Sequence, residues 1–208
     1  MTNKTNGFRD SSLYVGLLLS LITMCCLGIV FAVKDFTADS IRQADIEKQN
    51  SAFRHLLNGV KFDNNPSAEC YLANGFGSAE KKVYVARSKD QVTAYVVYYD
   101  VTGGYSTPFS MVAGVGADGI INYVDVVEFN ETPGLGDKIL RRTGNYLDSF
   151  TGTGLSNRRF DVKKDGGDFD YFTGATVTPR AVVRSTRAML ERIGTLDLGS
   201  LKKCEAEK

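Results

Sequence analysis

The sequence predicts an α+β fold: one N-terminal transmembrane helix, then a single domain in which helices flank an antiparallel sheet. Three observations carry this. Positions 13–33 hold no charged residue, four runs rich in β-branched and aromatic residues follow one another between residues 81 and 129, and an apolar helical stripe follows Pro179. Consecutive strands followed by helices, rather than strict alternation, mark α+β.

The first element is the apolar run LYVGLLLSLITMCCLGIVFAV. At ~1.5 Å per residue it reaches roughly 31 Å as a helix, enough to cross a hydrocarbon core of ~30 Å. A cleaved signal peptide would have a shorter apolar core and a small-residue cleavage site, and none precedes Lys34. Met24 stands where a lipoprotein cleavage signal before Cys25 needs a small residue, so Cys25 and Cys26 are read as small apolar residues of the span. The predicted organisation is a short cytoplasmic head (1–12), the transmembrane helix (13–33), a linker helix (34–60) and an extracytoplasmic domain (61–208). The flanking charges Lys4, Arg9, Lys34, Arg42 and Lys48 give only a weak positive-inside bias, and the outside placement follows from the short head and long following domain.

The linker helix shows a loose stripe of Ile41, Ala44, Lys48, Ala52, His55 and Leu56. Strands are expected at 81–88, 92–100, 109–119 and 120–129, broken at Asp90, Gly103-Gly104 and the hairpin pair Asp118-Gly119. A glycine-rich loop and short helix follow in ETPGLGDKILRR. A short strand near 158–162, a turn at Gly166-Gly167 and a last helix over Pro179–Ile193 complete the order. Thr178 is expected to cap that helix, with Pro179 at its first helical position and Val182, Val183, Thr186, Met189, Leu190 and Ile193 on the buried face.

Composition excludes several functions. The net charge of +1 offers no basic footprint for nucleic acid. His55 is the only histidine, which removes multi-histidine metal sites and leaves a Ser-His-Asp triad no other base. His55 itself is read as a packed or solvated helix residue. Cys70 and Cys204 could pair in an oxidising compartment or remain free.

Two loops carry chemistry. In DYFTGATVTPRAVV (170–183) the capping role explains Thr178 and Pro179 but not Thr173-Gly174-Ala175-Thr176. Arg180 and Arg184 sit at the positive end of the helix dipole, an arrangement that suits a shared anion such as phosphate. In ETPGLG (131–136) Pro133 stiffens the entry, and two glycines allow backbone to approach a flat ligand. That loop is neither a P-loop nor GxGxxG.

Together, ETPGLGDKI and D-x-x-T-G-A-T resemble the covalently flavinylated subunits of bacterial ion-pumping redox complexes: the G subunit of the Rnf complex and, more distantly, the C subunit of the sodium-pumping NADH:quinone reductase. The likeness covers essentially the whole chain. It implies an FMN-binding domain whose FMN phosphate is joined to Thr176 by a flavin transferase, in a phosphothreonyl linkage. Asp170 would be the acid of the flavinylation motif. Thr132, Gly134, Leu135, Gly136, Thr173, Gly174, Ala175, Val177 and Thr178 would contact the cofactor. It further implies an electron relay with the other Rnf subunits as partners, exchanging electrons between ferredoxin and NAD while sodium ions or protons move. The location implied is the bacterial inner membrane, single-pass, with the domain on the periplasmic side. Tyr171 and Phe172 could flank the flavin, although aromatic residues beside a motif more often belong to the core. The competing readings are a component like the C subunit of the quinone reductase, a membrane-anchored module that holds a flavin or other phosphate ligand reversibly, and a structural subunit whose loops only cap helices.

Overall fold

Six antiparallel strands form one sheet in the order β5-β4-β3-β2-β1-β6, described here from a computed structural model that covers residues 12–105, 108–129 and 136–204. The strands are β1 (Cys70–Ala73), β2 (Lys81–Ser88), β3 (Gln91–Val101), β4 (Phe109–Gly116), β5 (Ile121–Glu128) and β6 (Lys202–Lys203). The helices are α1 (Ser12–Leu56) and α2 (Val177–Gly194). The chain divides into two compact units, Met1–Lys48 and Gln49–Lys208. Among the described residues, the first holds one stretch long and apolar enough to cross a membrane, Tyr14–Ala38, with none of its apolar window buried. Helical structure runs without a break through the expected junction at residues 33 and 34.

In the second unit the period-two alternation of β3 decides what lies on each face of the sheet. Tyr95, Val97, Tyr99 and Val101 belong with the main core, while Ala94, Val96 and Tyr98 face a smaller cluster. The main core lies under α2, whose buried face includes all six residues expected from its periodicity. The smaller cluster is closed by Phe53, Leu56 and Leu57 at the end of α1. Gly114 makes that closure possible. A Cβ there would fall 1.9 Å from the Leu56 carbonyl oxygen, so only glycine lets the helix end seat on β4. With both faces covered, β4 is buried along almost its whole length.

The hairpins follow their turn residues. Lys89 and Asp90 both take positive φ, 51° and 65°, which makes a two-residue primed turn between β2 and β3. Gly119 at φ 79° turns β4 into β5, and the Asp118 carboxylate accepts the Ile120 N–H at 3.0 Å. The expected strand at 158–162 does not form. That segment makes only a bridge between Val162 and Phe169, because the chain reverses at Gly166-Gly167 before a ladder can extend. Two strands went unanticipated, β1 and the two-residue β6. Cys70 and Cys204 are disulfide-bonded and hold β6 beside β1, with the Cys204 N–H donating to the Cys70 carbonyl at 2.9 Å. Closing a loop of 134 residues removes chain entropy worth about 5 kcal/mol in the chain-entropy model.

Candidate functional site

Between the sheet and α2 the chain makes a tight turn at Phe172–Ala175. The Ala175 N–H donates to the Phe172 carbonyl at 3.0 Å, and Gly174 sits at φ 81° in the third position. Thr173 stays out of the left-handed region, so this is a type II turn, whose third position demands glycine. Thr173 and Gly174 are exposed, Ala175 is buried, and Thr176 and Val177 are half-buried.

Helix α2 begins one residue beyond this turn, and here the structure corrects the sequence. Thr178 is not the cap. It lies inside the first turn and is fully buried, while Thr176 occupies the N-cap position with αR dihedrals. A side chain caps from a β-region backbone, and accordingly the Thr176 hydroxyl makes no capping bond. Pro179 is correspondingly the third helical residue rather than the first, still within the first turn, where a missing N–H costs nothing.

Arg180 and Arg184 are also placed differently from expectation. Arg180 grips Asp165 in a fork at 2.5 and 2.9 Å, and Arg184 spans Asp161 and Asp165 at 3.2–3.3 Å. Both guanidiniums are therefore neutralised by carboxylates of the preceding loop, so their location at the helix start needs no phosphate to explain it. The Arg180 guanidinium holds the Asp165 carboxyl below its usual pKa. Asp170 pairs with Lys163 at 2.5 Å, both side chains being largely exposed.

Beside the turn lies an open cleft of about 650 Å³. It is lined by Phe172 and Asp170 of the motif, by Lys138, and by residues 143–146, 148 and 149, which include Tyr146 and Asp148. Tyr146 packs on Phe172 with ring centroids 5.1 Å apart and donates its hydroxyl to the Asp170 carbonyl at 3.1 Å. Burial pushes its phenol pKa well above the usual range, which keeps it a donor at neutral pH. Behind it the rings of Phe150, Phe169 and Phe160 stack in series, with Phe150 and Phe169 at 4.6 Å, so the cleft floor is backed by rigid core. A second cavity of about 440 Å³ lies on the Asp161–Asp165 side and includes none of the motif from Asp170 to Thr178.

Of the residues expected to hold a cofactor, Asp170 lines this cleft, whereas residues 173–178 follow it in the chain and are not among its lining residues. Thr132, Gly134 and Leu135 lie outside the described residues. Gly136 is buried and precedes a short 3-10 turn, Asp137–Ile139, which delivers Lys138 to the cleft. Phe172 lines the cleft, whereas Tyr171 is exposed and belongs to no core. Sequence reasoning missed Lys138, Tyr146 and Asp148. Their only signal was position, directly after the glycine loop.

The cleft lies in the size range of sites for flat, drug-sized ligands, about 300–1,000 Å³, and combines two aromatic rings, Tyr146 and Phe172, with a largely polar rim. Thr176, two residues after Gly174, carries a hydroxyl that makes no capping bond. An aromatic wall and polar rim of this size fit a flavin.

The fold and the site thus define a flavin-binding domain, and residues 104–191 match the family model described as the FMN-binding domain. FMN is the cofactor of that family. Curated relatives extend the likeness over most of the chain. The G subunit of the ion-translocating oxidoreductase complex from Salmonella typhi is 36% identical over 177 residues, covering 83% of this chain and 86% of the relative. Its counterpart from Escherichia coli K12, of the same name, is 35% identical over the same share. That of Erwinia tasmaniensis is 36% identical over 91% of this chain and 94% of the relative. The chain belongs to the family of ion-translocating oxidoreductase complex G subunits. With Tyr14–Ala38 as its apolar helix, it is a membrane protein.

Proposed function

We propose that the chain is the electron-relay subunit of an Rnf-type ion-translocating oxidoreductase complex, carrying FMN joined through its phosphate to the Thr176 hydroxyl. The observation that carries the linkage is the Thr176 side chain. It stands at the N-cap of α2 yet makes no cap bond, so its oxygen is available to an esterified phosphate. The first N–H groups of a helix have no intrahelical partners and accept such an anion readily. Asp170 would act in recognition by the flavin transferase, and Thr173, Gly174, Ala175, Val177 and Thr178 would border the phosphate end. Thr132, Gly134, Leu135 and Gly136 would approach the ring.

When bound, FMN supplies the one- and two-electron chemistry; the chain supplies position and electrostatics. Tyr146 and Phe172 would provide an apolar wall for the ring, and the type II turn would hold Thr176 at the start of the helix to receive the phosphate. A covalent tether has a physical reason. FMN has roughly 30 heavy atoms, and at ~0.3 kcal/mol per atom reversible binding would be about 9 kcal/mol, in the sub-micromolar range. A cofactor left half-exposed for its partners would then be lost wherever free flavin is scarce. Its partners are the other subunits of the complex.

The Cys70–Cys204 disulfide supports an extracytoplasmic domain, since such bonds persist in oxidising compartments. The proposed organisation is a cytoplasmic head (1–12), a transmembrane helix (13–33), a linker helix (34–60) and a periplasmic FMN domain (61–208).

The test is in-gel flavin fluorescence after SDS denaturation, on membranes from a host that has the flavin transferase. The expected result is a fluorescent wild-type band, a dark Thr176→Ala band and retained fluorescence in Thr176→Ser. Equal fluorescence in wild type and Thr176→Ala would move the attachment to another residue. A dark wild type would instead favour reversible binding.

A further inference from the structure

We propose that Lys138 is the residue that sets the charge felt by the bound flavin, and that it raises the flavin's reduction potential. This rests on the proposal that the cleft beside Thr176 holds the isoalloxazine.

The argument is the pairing of charges on the cleft wall. Its lining contains two carboxylates, Asp148 and Asp170, and one cation, Lys138. Each carboxylate is already paired with a cation that does not line the cleft. Asp148 is bound by Arg141, which is shared with Asp125 at 3.7 Å, donates to the Val124 carbonyl at 2.9 Å and lies over the Tyr123 ring at 4.1 Å. Asp170 is bound by Lys163 at 2.5 Å. Lys138 makes no ion pair among the described residues; its ammonium lies 6.0 Å from the Phe172 ring centroid. Tyr146 stays protonated and neutral, its hydroxyl committed to the Asp170 carbonyl. Among the described residues, Lys138 is therefore the one charged group of the wall without an oppositely charged partner.

Placement makes that charge persistent. Lys138 sits in the 3-10 turn Asp137–Ile139, which Ile139 anchors in the core with no exposed surface. The Leu140 N–H closes the turn on the Asp137 carbonyl at 3.0 Å, and the Thr143 hydroxyl donates to carbonyls of the same turn. The backbone beneath Lys138 is thus held, and only its flexible stem moves.

Two-electron reduction of oxidised flavin adds two negative charges, and solvent supplies one or two protons. With one proton taken up, the reduced ring carries a net negative charge. A nearby cation favours that product over the neutral oxidised ring, so the potential rises and the uptake of the second proton is disfavoured. The effect is screened by salt, because the ammonium is exposed.

The experiment uses the full-length protein in detergent, loaded in a host that has the flavin transferase. Flavin midpoint potential is titrated spectroscopically for wild type, Lys138→Gln and Lys138→Arg at equal flavin content. In Lys138→Gln the expected equilibrium moves about tenfold toward oxidised flavin, about 30 mV lower for a two-electron couple, with rescue in Lys138→Arg. Should Lys138→Gln fail to load, loaded wild type and Lys138→Arg are acetylated after maturation, and only wild type is expected to fall in potential. Equal potentials in wild type and Lys138→Gln, or equal shifts on acetylation, would overturn the proposal. A dark wild-type band on a denaturing gel removes the covalent linkage but not this inference, and the same titrations are then run with FMN added reversibly.

Discussion

The two flanks of the turn at Phe172–Ala175 are built on opposite electrostatic plans. On the flank toward residues 158–168, arginines are paired with carboxylates: Arg180 and Arg184 with Asp161 and Asp165, and Arg159 with Asp168. On the cleft flank the carboxylates are paired from outside, and Lys138 has no carboxylate partner among the described residues. The first flank is a clamp that holds a loop against a helix. The second leaves a cation for a ligand to meet. The difference teaches that arginines beside a phosphate-like motif need not be ligands.

The strongest way to break the contrast is to remove what both flanks rest on. Phe150 touches Phe169 on the clamped side and Tyr146 on the cleft side, and it is fully buried. Phe150→Ala is expected to cost about 3–5 kcal/mol and to lower both unfolding midpoint and flavin loading together. Denaturant unfolding checks this; a loss under about 1 kcal/mol would mean that the aromatic series does not support the cleft.

Gly167→Ala strikes the clamped loop. Its Cβ would meet the Asp161 carbonyl oxygen at 1.9 Å, so the loop must move, at about 1–3 kcal/mol. The same loop carries Lys163, the partner of Asp170 on the cleft wall, so the potential of the loaded flavin should fall together with stability as that pair is disturbed. An unchanged potential would show that the cleft does not feel the clamped loop.

Gly174→Ala probes the turn itself. With φ at 81°, an alanine there costs about 1–2 kcal/mol of backbone strain, and the expected readout is slower or incomplete flavinylation of Thr176. Mass spectrometry of the intact chain measures the loaded fraction, and full loading at the wild-type rate would contradict the role given to the turn.

The smallest effect belongs to pH. Arg180 holds the Asp165 carboxyl below its usual range, so the pair's contribution is present at neutral pH and is lost as pH falls below about 4, through the lowered folded-state value. Asp165→Asn should flatten that part of the acid limb in thermal melts without altering stability near pH 7 by much, since the pair is exposed.

Much of the architecture was legible locally. The strand expected at 81–88 forms over those residues, and the other three differ from expectation by three residues or fewer at either end, because Val, Tyr and Ile alternate between clear turn residues. The α2 stripe was legible for the same reason. The short strands were not. Cys70–Ala73 is four residues long, and Lys202–Lys203 has no apolar pattern; both exist because edge pairing and a disulfide across 134 residues hold them. The candidate site divided likewise. Gly174 announced its turn, yet Thr178 was read as a cap because sequence gives no dihedral angles, and its burial comes from what packs over the first turn of α2.

From its sequence alone, this protein had a membrane-length apolar helix, an antiparallel sheet, a closing helix and a stretch ending at Thr176 that resembles a flavinylation motif. The first three are set by local chemistry, namely hydropathy, period and turn residues, and the fourth is a short contiguous pattern. Tertiary structure alone decided that Cys70 meets Cys204, that Arg180 and Arg184 are already neutralised, and that Lys138 is the charge left facing the cleft. Those outcomes depend on which groups from distant segments come within a few ångströms, and ion pairing and burial act through space rather than along the chain.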